Sequence, residues 1–467
     1  MTELALFGGT PVLDRSLHRR WPEVTDSERT AVMRVLDRGV LSGSNATEAT
    51  AFEAEFGELV SAKYCLLTHC GTSALHLALA ASGVRAGDHV LVPAYSFVAT
   101  AFAVIHAGAI PIFVDVDAAT GNMDPVLAAE AITPRTRAIM PVHVHGCPAD
   151  LAPILALAEK HGLVVVEDAA QAHGATYQGR PVGALASAGG FSLQSSKNLS
   201  AGEGGIFVTN DRGRAEEANR LRNFGQDVAL STPGDFDAVR PLDGRRALDA
   251  QRVGWMYRGN EMMAAFARAQ LARLPERTAR CQRNADRLGR ALAGLPGVAP
   301  PHVPAGVTSV HHKFRVQLDP AAAGSSLSRR DLRDVVNEAL TAEGLEVVLW
   351  QTDALPAQRV FQERFGSDWP WTSDRETPFA RAYDPSRYPR TRELLDGSVV
   401  LFSQSCPLIA QDDDLVDRYA EAFARVWSAL PQLEQRVLRD RRSGPPDGGR
   451  VPRDSRGLEK LAGRARG

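Results

Sequence analysis

Apolar residues along this chain fall into short unbroken blocks, separated by longer stretches with helical spacing. Tyr64–Thr68, His89–Pro93, Pro111–Asp115, Ala138–His143 and Val164–Asp168 are apolar nearly throughout, which predicts strands covered on both faces. Ser73–Ser82, Phe97–Ala107 and Leu151–His161 read as the helices between them. Such alternation predicts an α/β fold with a mostly parallel central sheet, which Gly190–Leu193 and Gly205–Thr209 extend. Residues 226–252 have little periodicity and are expected to be an exposed loop. Helical spacing resumes over Asn260–Leu274 and Arg277–Leu295. Beyond Pro300 the texture becomes α+β, with a strand at His312–Leu318, a helix at Ser328–Glu343 and a strand at Glu346–Leu349. Helical sequence over Asp413–Leu438 is expected to kink or restart at Pro431. The expected division is a large domain over 1–255, an interdomain helix and smaller C-terminal α+β domain over 256–440, and a disordered basic tail over 441–467.

Composition narrows the function. The 467 residues are 44% hydrophobic and 23% charged, with a formal net charge of -2, so no global field favours nucleic acid or an anionic membrane. Apolar runs are interrupted well before the ~20 residues of a membrane span, and the first residues do not read as a signal peptide. The five cysteines have no metal-type spacing and read as reduced thiols of a cytoplasmic protein. No metal site is expected.

Three segments carry candidate chemistry. His69-Cys70-Gly71-Thr72-Ser73-Ala74-Leu75 is a turn between strand and helix, where backbone N–H groups and two hydroxyls could hold a phosphate. Val164–Asp168 is an apolar strand ending in an acidic pair, where an open α/β sheet binds its ligands; the alternative for Asp168 is a helix cap. In the third, Phe191–Gly205, Lys197 stands between hydroxyl residues and a Gly-Glu-Gly-Gly turn that lets backbone approach a ligand closely.

These segments, with Phe7-Gly8-Gly9-Thr10-Pro11, Pro93–Thr100, Pro141–Gly146 and Tyr257-Arg258, resemble the DegT/DnrJ/EryC1/StrS aminotransferase family across roughly residues 5–435. The resemblance implies fold type I, pyridoxal 5'-phosphate as cofactor, a small-molecule amino donor and carbonyl acceptor, and a homodimer with shared active sites. It implies that Lys197 joins the cofactor covalently and then shuttles the proton, while Asp168 keeps the ring nitrogen protonated. By the same resemblance Gln171 bonds the phenolic oxygen, and Gly71, Thr72, Ser73 and Ser192 hold the phosphate. Phe97 either stacks on the ring or packs in the core.

A dehydrating subgroup carries histidine in place of Lys197, so this chain lies outside it. Gln194 and the opening Phe-Gly-Gly-Thr-Pro resemble the cyclitol and secondary-metabolite members. Family members commonly have Asn where this chain has Met256; Met cannot donate a hydrogen bond, so Arg258 or Asn260 would have to supply the phosphate contact across the dimer. Candidate substrate residues are Ser42, in the family's substrate loop, and His311, His312 and Lys313, which open a small-domain strand. A histidine pair on a strand otherwise has one ring exposed and one packed. Lys313 and Arg315 could take an anionic group of the acceptor. An aromatic insertion with Trp369, Trp371 and Tyr383 could act as a lid. The expected activity is amino transfer from L-glutamate or L-glutamine to a ketone or aldehyde of a sugar, cyclitol or related biosynthetic intermediate. A dehydratase or aromatase like 3-amino-5-hydroxybenzoate synthase is the alternative. A non-enzymatic binding protein is disfavoured by the intact Lys197, Asp168 and Gln171, and a nicotinamide enzyme by the lack of a Gly-x-Gly-x-x-Gly after the first strand.

Overall fold

A computed structural model describes residues 3–42, 46–227, 249–362 and 383–442. The central sheet has seven strands: β1 (Tyr64–Thr68), β2 (His89–Pro93), β3 (Ile110–Val114), β4 (Thr136–Ile139), β5 (Val164–Asp168), β6 (Ala188–Ser192) and β7 (Gly205–Thr209), in the order β1-β7-β6-β5-β4-β2-β3. Every residue of β2, β3, β6 and β7 is buried, as strands with both faces covered require. β1 to β6 run in one direction, and β7 is antiparallel to both its neighbours. The reversal has a physical cause. A parallel return needs a crossover, usually a helix, whereas residues 193–204 form none and bring the chain straight back beside β6. β4 ends at Ile139, short of the expected His143, because residues 144–146 turn tightly with His145 in a left-handed conformation, φ 57°.

Helices Gly71–Ala81 and Leu151–His161 pack on this sheet. Helix Ala99–His106 begins two residues later than its apolar spacing suggests. After helices Glu261–Leu271 and Leu274–Ala293, a four-stranded antiparallel sheet forms from Val298–Ala299, Phe314–Leu318, Ser398–Leu401 and Val347–Val348, in that order. Arg329–Ala342, capped by Ser328, packs on it, and Asp413–Ser428 and a helix that restarts at Leu430 with Pro431 in its first turn pack on that helix. The N-terminal segment crosses to this second layer: Leu13 N–H donates to Glu343 O at 3.0 Å and Trp21 N–H to Ser405 O at 2.8 Å. Most of the loop expected at 226–252, the tail beyond Arg442, Gly43, Trp369 and Trp371 lie outside the described residues. Tyr383 is no lid: its ring stacks on Phe361 and its hydroxyl donates to Pro111 O at 2.9 Å within the core.

Candidate functional site

The carboxyl ends of β1, β2, β4, β5 and β6 carry the motif segments, so the sheet topology alone gathers them along one edge. Asp168 ends β5 and is 4% exposed. Thr100 Oγ1 donates to it at 2.7 Å and Ala170 N–H at 3.1 Å, both neutral donors. Ser96 Oγ lies 2.7 Å from Thr100 Oγ1 and extends the chain. No described cation forms an ion pair with Asp168. Burial raises its pKa, opposed by Thr100, Ala170 and the charge of Lys197. A buried carboxylate held only by neutral donors can accept a cation from a ligand.

Lys197 lies half-buried on the β6–β7 loop, with its backbone fixed from several sides. Its N–H donates to Gln194 O at 2.9 Å, and Trp21 Nε1 donates to its carbonyl at 2.9 Å. Ser196 N–H and Oγ bond Gln194 Oε1 at 2.8 and 2.7 Å, so Gln194 serves the turn itself. The lysine amine makes no hydrogen bond to any described residue. Desolvation pushes it down to about 8, against the pull of Asp168. An unpaired amine of lowered pKa is a nucleophile in waiting.

Around this pair, Gln171 Oε1 accepts from His145 N–H at 2.9 Å, leaving its amide nitrogen without a described partner. Gly71 opens the phosphate-type turn. A Cβ placed there would stand 2.7 Å from Ser192 Cβ, so the absence of a side chain lets the turn close onto Ser192. Thr72 is half-exposed, with a hydroxyl that bonds no described residue. Ser73 departs from expectation: its hydroxyl lies 2.7 Å from Cys70 O and 2.9 Å from His69 Nδ1, spent on capping the helix. Phe97 is 57% exposed, which removes the core-packing alternative. Asn260 is exposed, but its Oδ1 caps helix Glu261–Leu271 through Met263 N–H at 2.9 Å. Ser42 is exposed. His311, His312 and Lys313 are all buried, against the expectation of one exposed ring. His312 Nδ1 is 3.2 Å from Asn198 Oδ1, and its pKa is held down by burial and by the charge of Lys197.

Sequence reasoning missed three residues here. Thr100 and Ser96 lie inside the Pro93–Thr100 motif, whose hydroxyls were the available signal. His145, bonded through Nε2 to Tyr95 Oη at 2.7 Å and packed on Trp350, gave no comparable signal. Together these residues fit a phosphorylated pyridine aldehyde: a free amine, a lone buried carboxylate, an exposed ring and a glycine that admits a phosphate to a helix N-terminus.

Comparison with known proteins agrees. Residues 22–377 match the sequence profile of the DegT/DnrJ/EryC1/StrS aminotransferase family. The chain is 35% identical to the L-glutamine:scyllo-inosose aminotransferase of Streptomyces griseus, across 93% of this chain and 100% of that one. It is 36% identical to the dTDP-3-amino-3,4,6-trideoxy-alpha-D-glucose transaminase of Streptomyces venezuelae, over 72% of this chain and 80% of the other. The crystal structure of 3-amino-5-hydroxybenzoic acid synthase superposes with a TM-score of 0.75 at 31% identity, covering 88% of this chain and 98% of that one. The chain is therefore a pyridoxal-phosphate-dependent enzyme of fold type I and belongs to the DegT/DnrJ/EryC1/StrS aminotransferase family.

Proposed function

We propose that the enzyme moves an amino group from L-glutamine or L-glutamate to a ketone or aldehyde of a sugar or cyclitol. The observation that carries this reading is the unpaired amine of Lys197 beside the buried carboxylate of Asp168, which has only neutral donors. The names of the relatives support the substrate class: one acts on scyllo-inosose and another on a dTDP-sugar.

When bound, the cofactor supplies an electron sink to the substrate carbon that bears nitrogen. Lys197 would hold the cofactor covalently and, once released, would carry the proton from the donor carbon and return it to the acceptor. Asp168 would keep a proton on the ring nitrogen, its carboxylate fixed by Thr100. Gln171 offers its amide nitrogen to the phenolic oxygen. Phe97 would cover one ring face, while Gly71, Thr72 and Ser192 would hold the phosphate. We further propose the domain division 1–255 and 256–440, with the N-terminal segment strapped across it, and a homodimer that places Met256 and Asn260 beside the partner's site. Among the described residues no helix is long and apolar enough to cross a membrane.

The test is turnover with L-glutamine or L-glutamate and a panel of keto-cyclitols and keto-sugars. One 2-oxo acid released per amine formed is the expected result, and Lys197→Ala should lose both the visible cofactor band and turnover. An aromatic product formed with no donor consumed would instead favour the dehydratase reading, which the relatives named as aminotransferases support less. Normal turnover by Lys197→Ala would remove the lysine from the mechanism.

A further inference from the structure

Beside the Lys197 loop, strand Phe314–Leu318 meets the turn Val144–Gly146, and two buried cations lie there without a carboxylate against either. Lys313 is 3% exposed, and its Nζ makes no hydrogen bond. Arg315 is equally sequestered; its Nη2 donates to Ala119 O at 3.2 Å, while its Nε is unpartnered. Among the described residues neither forms an ion pair, although the guanidinium feels the charge of Asp117 and the polar groups of Tyr95 and Cys147. Burial pushes Lys313 down to about 8, with the charge of Lys197 adding to the effect.

Both cations line one cavity with His145, His311, Thr120 and Cys147. His145 and His311 hold left-handed backbones, φ 57° and 44°, and His145 Nδ1 also lacks a partner. Strained non-glycine residues and unpaired buried cations persist where the surroundings hold them for a ligand. The cavity adjoins the proposed reaction centre: His145 N–H donates to Gln171, and both His145 and Lys313 feel the charge of Lys197.

We propose that this cavity is a carboxylate subsite, in which Lys313 and Arg315 seat the carboxylate of a substrate close to Lys197. A carboxylate is the anion that L-glutamate and L-glutamine both carry. The inference rests on the aminotransferase reading and adds to it the charge that the site recognises. The carboxylate belongs either to the amino donor or to the carbonyl acceptor, and the two half-reactions tell these apart.

The experiment uses holoenzyme and follows each half-reaction by the cofactor's visible band, with acetate as a competing probe. Lys313→Met should raise the half-saturating concentration about ten-fold or more in one half-reaction, as loss of a charged hydrogen-bond donor does. Lys313→Arg should recover much of it. A rise with L-glutamate and L-glutamine assigns the carboxylate to the donor. A rise confined to carboxylate-bearing acceptors assigns it to the acceptor. Acetate should compete in the wild type and not in Lys313→Met. Half-saturation unchanged within about two-fold in both half-reactions, or no acetate competition in the wild type, would overturn the subsite, and the second criterion holds even if Lys313→Met does not fold. Failure of the wild-type band to respond to any amino donor would instead defeat the underlying aminotransferase reading.

Discussion

At the scale of single residues, the chemistry depends on how far burial can move an amine. With a pKa of about 8, about one Lys197 amine in ten is neutral at pH 7, against about one in three thousand for an ordinary lysine. Desolvation lowers the value and Asp168 raises it, so desolvation wins. The nucleophile is the neutral form. Capture of cofactor by the apoenzyme should therefore quicken about ten-fold from pH 7 to 9 and then level off. Stopped-flow reconstitution at fixed cofactor concentration would show this, whereas a rate still climbing steeply at pH 10 would mean that the amine is not desolvated. Lys197 and Asp168 were legible because each sits in a contiguous motif at a strand end. His145 was not. Its contacts with Tyr95, Gln171 and Trp350 join segments far apart in the chain, and nothing in Pro141–Gly146 announces a left-handed turn. Ser73 misled because a hydroxyl at a helix start can face a ligand or its own cap, and the sequence is the same for both.

At the scale of elements, strand and helix positions followed from apolar spacing, while the groups that lock elements together did not. Helix Glu48–Val60 gets no side-chain cap from Thr47. Glu261, in the first turn of another helix, supplies one instead. Its carboxylate accepts the N–H groups of Thr47 and Glu48 at 2.9 Å and of Ala49 at 2.8 Å, and pairs with Arg38 at 2.6 Å. A glutamate in a helix's first turn ordinarily reads as a solvated charge favourable to the dipole, so sequence gave no hint that this one is fully buried. Glu261→Ala would leave three helix N-terminal donors without their acceptor and take from Arg38 its shortest ion pair, leaving it Thr47 Oγ1 and Glu48. The expected cost is about 3–5 kcal/mol, measured as a lower denaturation midpoint. A shift of a few tenths would mean that water replaces the carboxylate.

At the scale of the whole molecule, the N-terminal segment straps helix Arg329–Ala342 to the Lys197 loop. Glu343 ends helix Arg329–Ala342 as its C-cap, where an acid is disfavoured by the helix dipole. It is nevertheless completely buried, because Ala5 N–H donates to it at 2.8 Å, Val12 N–H at 3.1 Å and Arg425 Nη1 at 3.1 Å. These contacts fasten the N-terminal segment, whose other end presents Trp21 Nε1 to the carbonyl of Lys197. Glu343→Ala takes the acceptor from two N–H groups and the carboxylate from Arg425, a half-buried guanidinium that keeps the carbonyls of Thr10 and Glu3, a loss of about 2–4 kcal/mol. The thermal midpoint should fall, and limited proteolysis should cut first within the strap. Because the strap also holds the Lys197 loop, the variant should release cofactor faster on dialysis, while Glu343→Gln, which still accepts hydrogen bonds, should lie between it and the wild type. A variant with a lowered midpoint but unchanged cofactor release would show that Trp21 stays in place without the Glu343 anchor, and that strap and site are mechanically independent.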